Sequence, residues 1–268
     1  MTRAVLIGAT GRMGTAIVRA AAGGGIEIVA AIASGGSKSA GLDVGEVAGA
    51  KGLGVRVVTE LPADLGKAEV AIDFSRPDLS LRALEACRAA RVPIVIGTTG
   101  HESGFDARVE DASREIPVLV APNTSIGVTV ALELVRIAAR VLPSEFDIEI
   151  TEAHHKHKLD APSGTALALA GAAASGRGVD PRKHVRPGRA GNEARSPGEI
   201  GIASIRAGDV VGTHTVLFAG SGERLTVGHE ATDRSIFARG AVRAASWLAA
   251  QGPGRYAMVD VLGLKTNG

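Results

Sequence analysis

Residues 4–21 read AVLIGATGRMGTAIVRAA. A four-residue apolar run comes first, then glycines at 8, 11 and 14, then an apolar-periodic stretch from Thr15. The run has the look of a buried strand, and the spacing after it is that of a helix. Glycines between the two let the chain turn sharply, let a pyrophosphate approach the backbone, and leave helix-start amides facing it. The spacing is GxxGxxG rather than GxGxxG, so a tight strand-to-helix turn that holds no ligand is the plain alternative.

The same alternation recurs down the chain. Residues 26–33 (IEIVAAIA) read as a second buried strand, and 34–56, rich in Gly and Ser, mainly as loop. Residues 70–74 (VAIDF) read as a strand and 77–90 as a helix, with Pro77 suited to its first turn. Residues 93–96 form the next strand, Gly97-Thr98-Thr99-Gly100 a turn, 103–115 a polar helix, and 117–121 (PVLVA) another strand. Short apolar strands alternating with helices predict a Rossmann-type, doubly wound parallel sheet.

After residue 125 the texture changes. Residues 129–142 read as an amphipathic helix, and FDIEITEAHH (146–155) as an alternating strand with Phe146, Ile148 and Ile150 on one face. A helix from about Thr165 and a Gly/Pro/Arg-rich connection over 176–198 follow. Strands over 200–206, 211–218 and 223–229, joined by RAGD and AGSGE, predict an antiparallel meander. Residues 235–251 read as a helix that returns to the first domain. The fold class is therefore α/β: the Rossmann-type sheet plus a central α+β domain with an open mixed or antiparallel sheet. The expected boundaries are 1–125 with 236–268 for the dinucleotide-binding domain, and 126–235 for the central domain, whose substrate-binding and oligomerisation roles are implied only by a family resemblance.

Composition narrows the function. The 268 residues are 45% hydrophobic but only 3% aromatic, so the cores are aliphatic. A net charge of +2 gives no argument for a nucleic-acid or membrane surface. Cys87 is the only cysteine, which excludes an internal disulfide and disfavours a thiolate zinc site. The first apolar run is too short for a signal peptide, and none approaches the roughly 20 residues of a membrane span. A cytoplasmic setting is expected.

Two regions carry chemistry. The second strand runs into Ala33-Ser34-Gly35-Gly36-Ser37-Lys38, with no acid to hold a ribose 2′-hydroxyl or repel a 2′-phosphate. Ser34, Ser37, Lys38 and Arg12 are candidates to receive such a phosphate, which favours NADPH over NADH; a solvated loop is the alternative. The second region, residues 152–165 (EAHHKHKLDAPSGT), packs three histidines and two lysines into five positions. If the strand stays extended, His154, Lys156 and Lys158 share one face, and His155 and His157 the other. Crowded cations depress one another's pKa, which suits proton donation near neutral pH. Asp160 or Ser163 can cap the following helix, and the amides of Ser163, Gly164 and Thr165 then form a carboxylate or phosphate cradle. A solvated basic face, a histidine metal site and a nucleic-acid patch are the competing readings. No cysteine lies near, Glu152 is expected to point elsewhere, and aromatics for stacking are scarce. No metal is expected.

GATGRMG at 8–14, IDFSRP at 72–77, VIGTTG at 95–100, APNTSIGV at 121–128, EAHHKHKLDAPSGTA at 152–166 and IRAGDVVGTHTV at 205–216 occur in order along the whole chain. Together they closely resemble the dihydrodipicolinate (4-hydroxy-tetrahydrodipicolinate) reductase family. The resemblance implies NAD(P)H-dependent reduction of a small cyclic dicarboxylate in the diaminopimelate route to lysine, by a homotetramer. It implies that Gly8, Ala9, Thr10, Gly11, Arg12 and Met13 hold the cofactor diphosphate. It assigns the nicotinamide end to Gly97, Thr98 and Thr99 with Ala121, Pro122, Asn123 and Thr124. His154 matches the family's proton donor/acceptor and Lys158 its second proton donor. His155 with Gly164 and Thr165 matches its substrate carboxylate site. The family often ends its second strand with an acid and a base, where this chain has Ala33 and Ser34. A different Rossmann oxidoreductase and a non-catalytic NADP sensor are the other readings of the fold.

Overall fold

The structure, a computed structural model, describes residues 1–62, 65 and 67–264. The chain divides into two compact units, Met1–Ile126 with Ser235–Gly268, and Gly127–Arg234.

In the first unit the order is β1 (Thr2–Ile7), α1 (Arg12–Ala21), β2 (Ile26–Ile32), α2 (Val44–Val47), β3 (Val57–Val58), β4 (Val70–Asp73), α3 (Pro77–Ala90), β5 (Ile94–Ile96), α4 (Phe105–Ser113) and β6 (Pro117–Val120). The second unit holds most of α5 (Ile126–Val141), then β7 (Asp147–His154), α6 (Gly164–Arg177), α7 (Pro181–His184), β8 (Val185–Pro187), β9 (Ile200–Arg206), β10 (Gly212–Ala219) and β11 (Arg224–Ala231). The chain then returns to the first unit with α8 (Ser235–Leu248), β12 (Gly254–Tyr256) and α9 (Met258–Val261).

The first sheet has seven parallel strands in the order β12-β6-β5-β4-β1-β2-β3. Winding reverses between β1 and β4, which makes the carboxyl ends of those two strands the ligand crevice of such a sheet. One face packs Leu6, Ile17, Ile28 and Ala241 together; the other packs Ile7, Leu84, Ile94 and Val109. Helices on both faces explain why β4 and β5 are buried at every position and why their sequences do not alternate. Leu84 is fully buried, a contribution of about 1.5–3 kcal/mol for a side chain of that size. Pro77 starts α3, and Arg91 ends it in the left-handed conformation at φ 58°.

The 34–56 segment is more ordered than its composition predicts. Asp43 caps α2, accepting from the amides of Gly45 at 2.8 Å and Glu46 at 3.3 Å. The same carboxylate also gathers the amides of Leu53 at 3.0 Å and Gly54 at 2.6 Å. One acid thus organises a loop that glycine and serine counts alone describe as irregular.

The second unit corrects two expectations. Its sheet runs β11-β10-β7-β9-β8, so β9, β10 and β11 do not form a meander. β7 lies between β9 and β10, parallel to the first and antiparallel to the second. The RAGD segment is therefore no hairpin turn. It crosses the carboxyl end of β7, where Ala207 N donates to His154 O at 2.9 Å and Lys156 N donates to Gly208 O at 3.2 Å. Turn residues report local chain reversal, while strand pairing is decided by what else competes for the edge. The 176–198 connection, read as irregular, contains α7 and β8. One face of this sheet is packed: Ile148, Ile150, Ile202, Val216 and Phe218 meet Val135 of α5 and Ala170 of α6. Among the described residues no helix is long and apolar enough to cross a membrane.

Candidate active site

The glycine turn sits at the carboxyl end of β1. Gly8 has φ +81°, and a Cβ there would lie 2.2 Å from Phe74 O. Only glycine meets both demands. Gly11 is the N-cap of α1, which carries neither a side-chain cap nor an acid in its first turn. Such a start favours an anion, because its amides and dipole are otherwise unanswered. A cavity of about 370 Å³ opens here, lined by Gly8, Thr10, Gly11, Ser34, Arg76 and Arg82, with Asp78 beside them. Neither guanidinium has an ion-pair or hydrogen-bond partner among the described residues. Ser34 is therefore at this cavity, whereas Arg12, Ser37 and Lys38 do not line it. Arg76 and Arg82 were not singled out from the sequence; the signal available was their i, i+6 placement at the start of the helix after β4.

The other cofactor candidates lie at the ends of β5 and β6. Thr98 Oγ1 donates to Asp73 Oδ2 at 2.8 Å and accepts from Ser75 N at 2.8 Å. Asp73 is wholly buried; burial pushes its carboxyl up against the opposing hydrogen bonds of Ser75, Ser80 and Thr98. This acid pins the Gly97–Thr99 turn to the segment after β4. Ala121 N donates to Ile96 O at 2.9 Å, and Thr124 Oγ1 donates to Phe237 O of α8 at 2.7 Å. A Cβ at Gly240 would fall 1.7 Å from Thr124 O, so α8 closes on the 121–124 turn at its glycine. Pro122 and Asn123 complete that turn, with Asn123 Oδ1 accepting from Ser125 N at 2.9 Å.

In the second unit, β7 alternates as read: Ile148, Ile150, Glu152 and His154 share the buried face. Extension ends there. Residues 155–158 turn, with Lys158 N donating to His155 O at 3.0 Å, so strand alternation does not place Lys158 on the face of His154. The crossing Ala207–Gly208 backbone occupies the partners that a longer β7 would need. His155 and His157 lie with ring centroids 6.3 Å apart beside a 550 Å³ concavity that Lys156, Gly208, Asp209 and Arg234 also line. Burial, and then the charges of Arg234, His157, His154 and Lys158, hold the His155 imidazole below its ordinary pKa. Lys158 pairs with Asp160 at 2.8 Å. That leaves the helix cap to Ser163, whose Oγ accepts from Ala166 N at 3.2 Å, with Gly164 and Thr165 opening α6.

Glu152 does not point elsewhere, as the metal argument from alternation assumed. Its Oε2 lies 2.5 Å from His154 Nδ1. Arg206 clasps both carboxylate oxygens at 2.8 and 2.9 Å, and Ser163 N donates to Oε1 at 3.2 Å. Burial alone would raise this carboxyl; hydrogen bonds from Arg206, Ser204 and His154 hold it down at about 2. His214 Nε2 meets Ser163 Oγ at 3.0 Å, and its ring stands edge-on to His154 at 5.1 Å. Glu152, His154 and His214 bring one ligand atom each within 4.8 Å. The guanidinium of Arg206 already occupies the carboxylate that such a cation would need. Glu152, Arg206 and His214 were missed as site residues. Glu152 and His154 sit at i and i+2 of one strand, which alternation alone could have paired.

A doubly wound sheet with an uncapped glycine turn, and a separate unit with a histidine–lysine cluster at a helix start, define the class of nicotinamide-dinucleotide oxidoreductases with an added substrate domain. The family description "Dihydrodipicolinate reductase, N-terminus" matches residues 2–124, and "Dihydrodipicolinate reductase, C-terminus" matches 127–262. The chain belongs to the dihydrodipicolinate reductase family. The 4-hydroxy-tetrahydrodipicolinate reductase of Anaeromyxobacter dehalogenans is 50% identical over 269 residues, covering 99% of both chains. That of Alkalilimnicola ehrlichii is 49% identical over 267 residues, 98% of this chain and 99% of its own. Among solved structures, the dipicolinate-bound dihydrodipicolinate reductase of Paenisporosarcina sp. TG-14 superposes with a TM-score of 0.76 at 25% identity, over 97% of this chain and 98% of that one. The amine dehydrogenase of Mycobacterium smegmatis shares the fold, with a TM-score of 0.62 at 14% identity over 96% of this chain and 95% of that one.

Proposed function

We propose that the chain reduces 4-hydroxy-tetrahydrodipicolinate to tetrahydrodipicolinate, with loss of water, in the diaminopimelate route to lysine. The observation that carries this reading is that one buried carboxylate, Glu152, holds both the His154 ring and the Ser163 amide at the start of α6. A proton carrier is thereby fixed beside a cradle for a carboxylate. NAD(P)H supplies the hydride when bound. His154 and Lys158 supply and receive the accompanying proton. His155, Ser163, Gly164 and Thr165 bind the substrate carboxylates, and positioning of the ring contributes alongside proton transfer. A dicarboxylate substrate accords with the dipicolinate carried by the Paenisporosarcina relative.

Residues 1–125 with 236–268 bind the dinucleotide in this reading. Gly8, Ala9, Thr10, Gly11, Arg12 and Met13 take the diphosphate; Gly97, Thr98, Thr99, Ala121, Pro122, Asn123 and Thr124 take the nicotinamide end. NADPH is preferred over NADH: the cavity at the end of β2 is lined by Ser34 and by Arg76 and Arg82, whose guanidinium groups have no partner among the described residues. Residues 126–235 bind substrate and assemble a cytoplasmic homotetramer. The uncovered face and edge of the second sheet, where Ile205 is 52% and Leu225 43% exposed, favour self-association. Light scattering on the purified chain tests the tetramer.

The deciding experiment couples the chain to the upstream synthase and follows NADPH oxidation. His154→Ala and Lys158→Ala are expected to lower kcat by roughly 10²–10⁴-fold, the span of general acid–base catalysis. Near wild-type turnover in both variants would show the assignment to be wrong. Nucleotide binding with no turnover in the wild-type chain would favour a sensor.

A further inference from the structure

We infer that Glu152 is a positioning residue that fixes which nitrogen of His154 is available for proton transfer and seats the carboxylate cradle from the same point. This rests on the reading of His154 as the proton carrier and extends it to a residue two positions upstream.

The alternation of β7 sends Glu152 inward with Ile148 and Ile150, and the side chain is fully buried. A buried carboxylate persists only if its charge is answered and its lone pairs are filled. Here both conditions hold. Arg206 binds in the two-point manner that guanidinium and carboxylate geometry allow, at 2.8 Å to Oε1 and 2.9 Å to Oε2. Ser163 N takes a further place on Oε1 at 3.2 Å, and His154 Nδ1 lies 2.5 Å from Oε2.

The ion pair by itself gives no reason for a charged core, since an apolar pair of similar volume often serves stability as well. An apolar pair cannot orient an imidazole. A carboxylate held ionised by Arg206 is purely an acceptor, so the nitrogen facing it must be the donor. His154 therefore carries its proton on Nδ1 in the neutral ring, and Nε2 is left to exchange a proton with a ligand. Space around Nε2 is kept by Gly212: a Cβ at that position would stand 3.1 Å from it. The third contact has a separate consequence. By accepting from Ser163 N, Glu152 sets the residue whose Oγ caps α6 and from which Gly164 and Thr165 follow. One carboxylate thus registers the proton-bearing nitrogen against the anion-binding amides.

A plain structural ion pair would also weaken the fold when broken, so stability alone does not test the idea. The test is the ring tautomer together with kinetics, on the full chain carrying nitrogen-15-labelled histidine. At mildly alkaline pH, long-range proton–nitrogen correlation spectra are expected to show wild-type His154 protonated on Nδ1. In Glu152→Gln the ring is expected to populate the other tautomer, with kcat lowered roughly 100-fold and NADPH affinity unchanged. Glu152→Asp is expected to restore part of kcat together with the Nδ1–H signature. If Glu152→Gln alone does not fold, the double change with Arg206→Met removes the unanswered cation and is read in the same way. A wild-type ring protonated on Nε2 overturns the positioning role and leaves the proton role of His154 standing. A folded Glu152→Gln enzyme with wild-type kcat overturns it as well. Wild-type turnover in His154→Ala, by contrast, overturns the proton role and leaves the tautomer result intact.

Discussion

The hydroxyl oxygen of Ser163 lies 3.0 Å from Nε2 of His214, a histidine only 4% exposed. Burial first, and then the charge of His154, hold the His214 pKa down to about 4, from an ordinary 6.5. The sign of the consequence is definite. Between those two values the unfolded chain takes up a proton that the folded chain refuses, so stability falls as pH drops through that window. The full effect is on the order of 3 kcal/mol. Glu152 adds a lower window: the stability it contributes is complete above its ordinary 4.5 and is lost as pH falls towards about 2. Urea midpoints are expected to decline from pH 7 to pH 4, and His214→Gln to flatten that decline. A wild-type midpoint constant over this range would refute the role of His214.

Gly212 faces the Nε2 edge of His154. Its φ lies outside the left-handed region, so alanine is free of backbone strain, but the new Cβ would stand 3.1 Å from Nε2 and 3.4 Å from Cδ2. The ring must yield by a few tenths of an ångström while Nδ1 is held by Glu152. Misplacement by about 1 Å costs roughly 100-fold in rate, so Gly212→Ala is expected to lower kcat by about 10-fold. Nucleotide affinity should not move, because Gly212 lies outside the residues proposed to hold the dinucleotide. Steady-state kinetics with a separate NADPH titration checks both, and an unchanged kcat would show that the space at Nε2 is idle.

What could be read in the sequence follows from the range of each signal. β1, α3 and β5 were legible because a buried parallel strand is a continuous apolar run and Pro77 marks a helix start. The order β10-β7-β9 was not, since RAGD has turn chemistry whether it joins neighbours or crosses a third strand. Within the candidate site, the residues before α6 offer both Asp160 and Ser163 as caps, and the fold chooses Ser163. Alternation puts Lys158 on the face of His154 only if β7 continues, and the Ala207–Gly208 crossing, invisible locally, ends the strand at His154. Arg206 lies 54 positions from the carboxylate it clasps, a separation no periodicity spans.

Gly8 supports a prediction about the nucleotide turn. At φ +81° an alanine is strained, and its Cβ would be placed 2.2 Å from the carbonyl oxygen of Phe74. Strain of this kind costs about 1–3 kcal/mol, and here the turn must also move away from β4. Gly8→Ala is expected to lower the melting temperature and to weaken NADPH and NADH alike, as followed by nicotinamide fluorescence. Unchanged binding of both would mean that the turn does not touch the dinucleotide.

Cofactor choice is tested at Arg76 and Arg82. Both line the cavity that also holds Ser34, and neither spends its charge on a protein partner among the described residues. A 2′-phosphate would be their natural counter-ion, taking charge-assisted hydrogen bonds that an unphosphorylated ribose cannot match. Arg82→Ala and Arg76→Ala are each expected to weaken 2′,5′-ADP by about 10-fold, the loss of a hydrogen bond to a charged group. Binding of 5′-AMP, measured by the same calorimetry, should stay within about twofold, because it lacks the phosphate that the two groups serve. The kcat/KM ratio for NADPH over NADH should fall in parallel. Asp78, which also lines the cavity, sharpens the comparison: removing its charge by Asp78→Asn should strengthen 2′,5′-ADP and leave 5′-AMP unmoved. Equal weakening of both nucleotides in the arginine variants would assign those side chains to the adenine or to the fold of the turn, and the proposed preference for NADPH would fall with them.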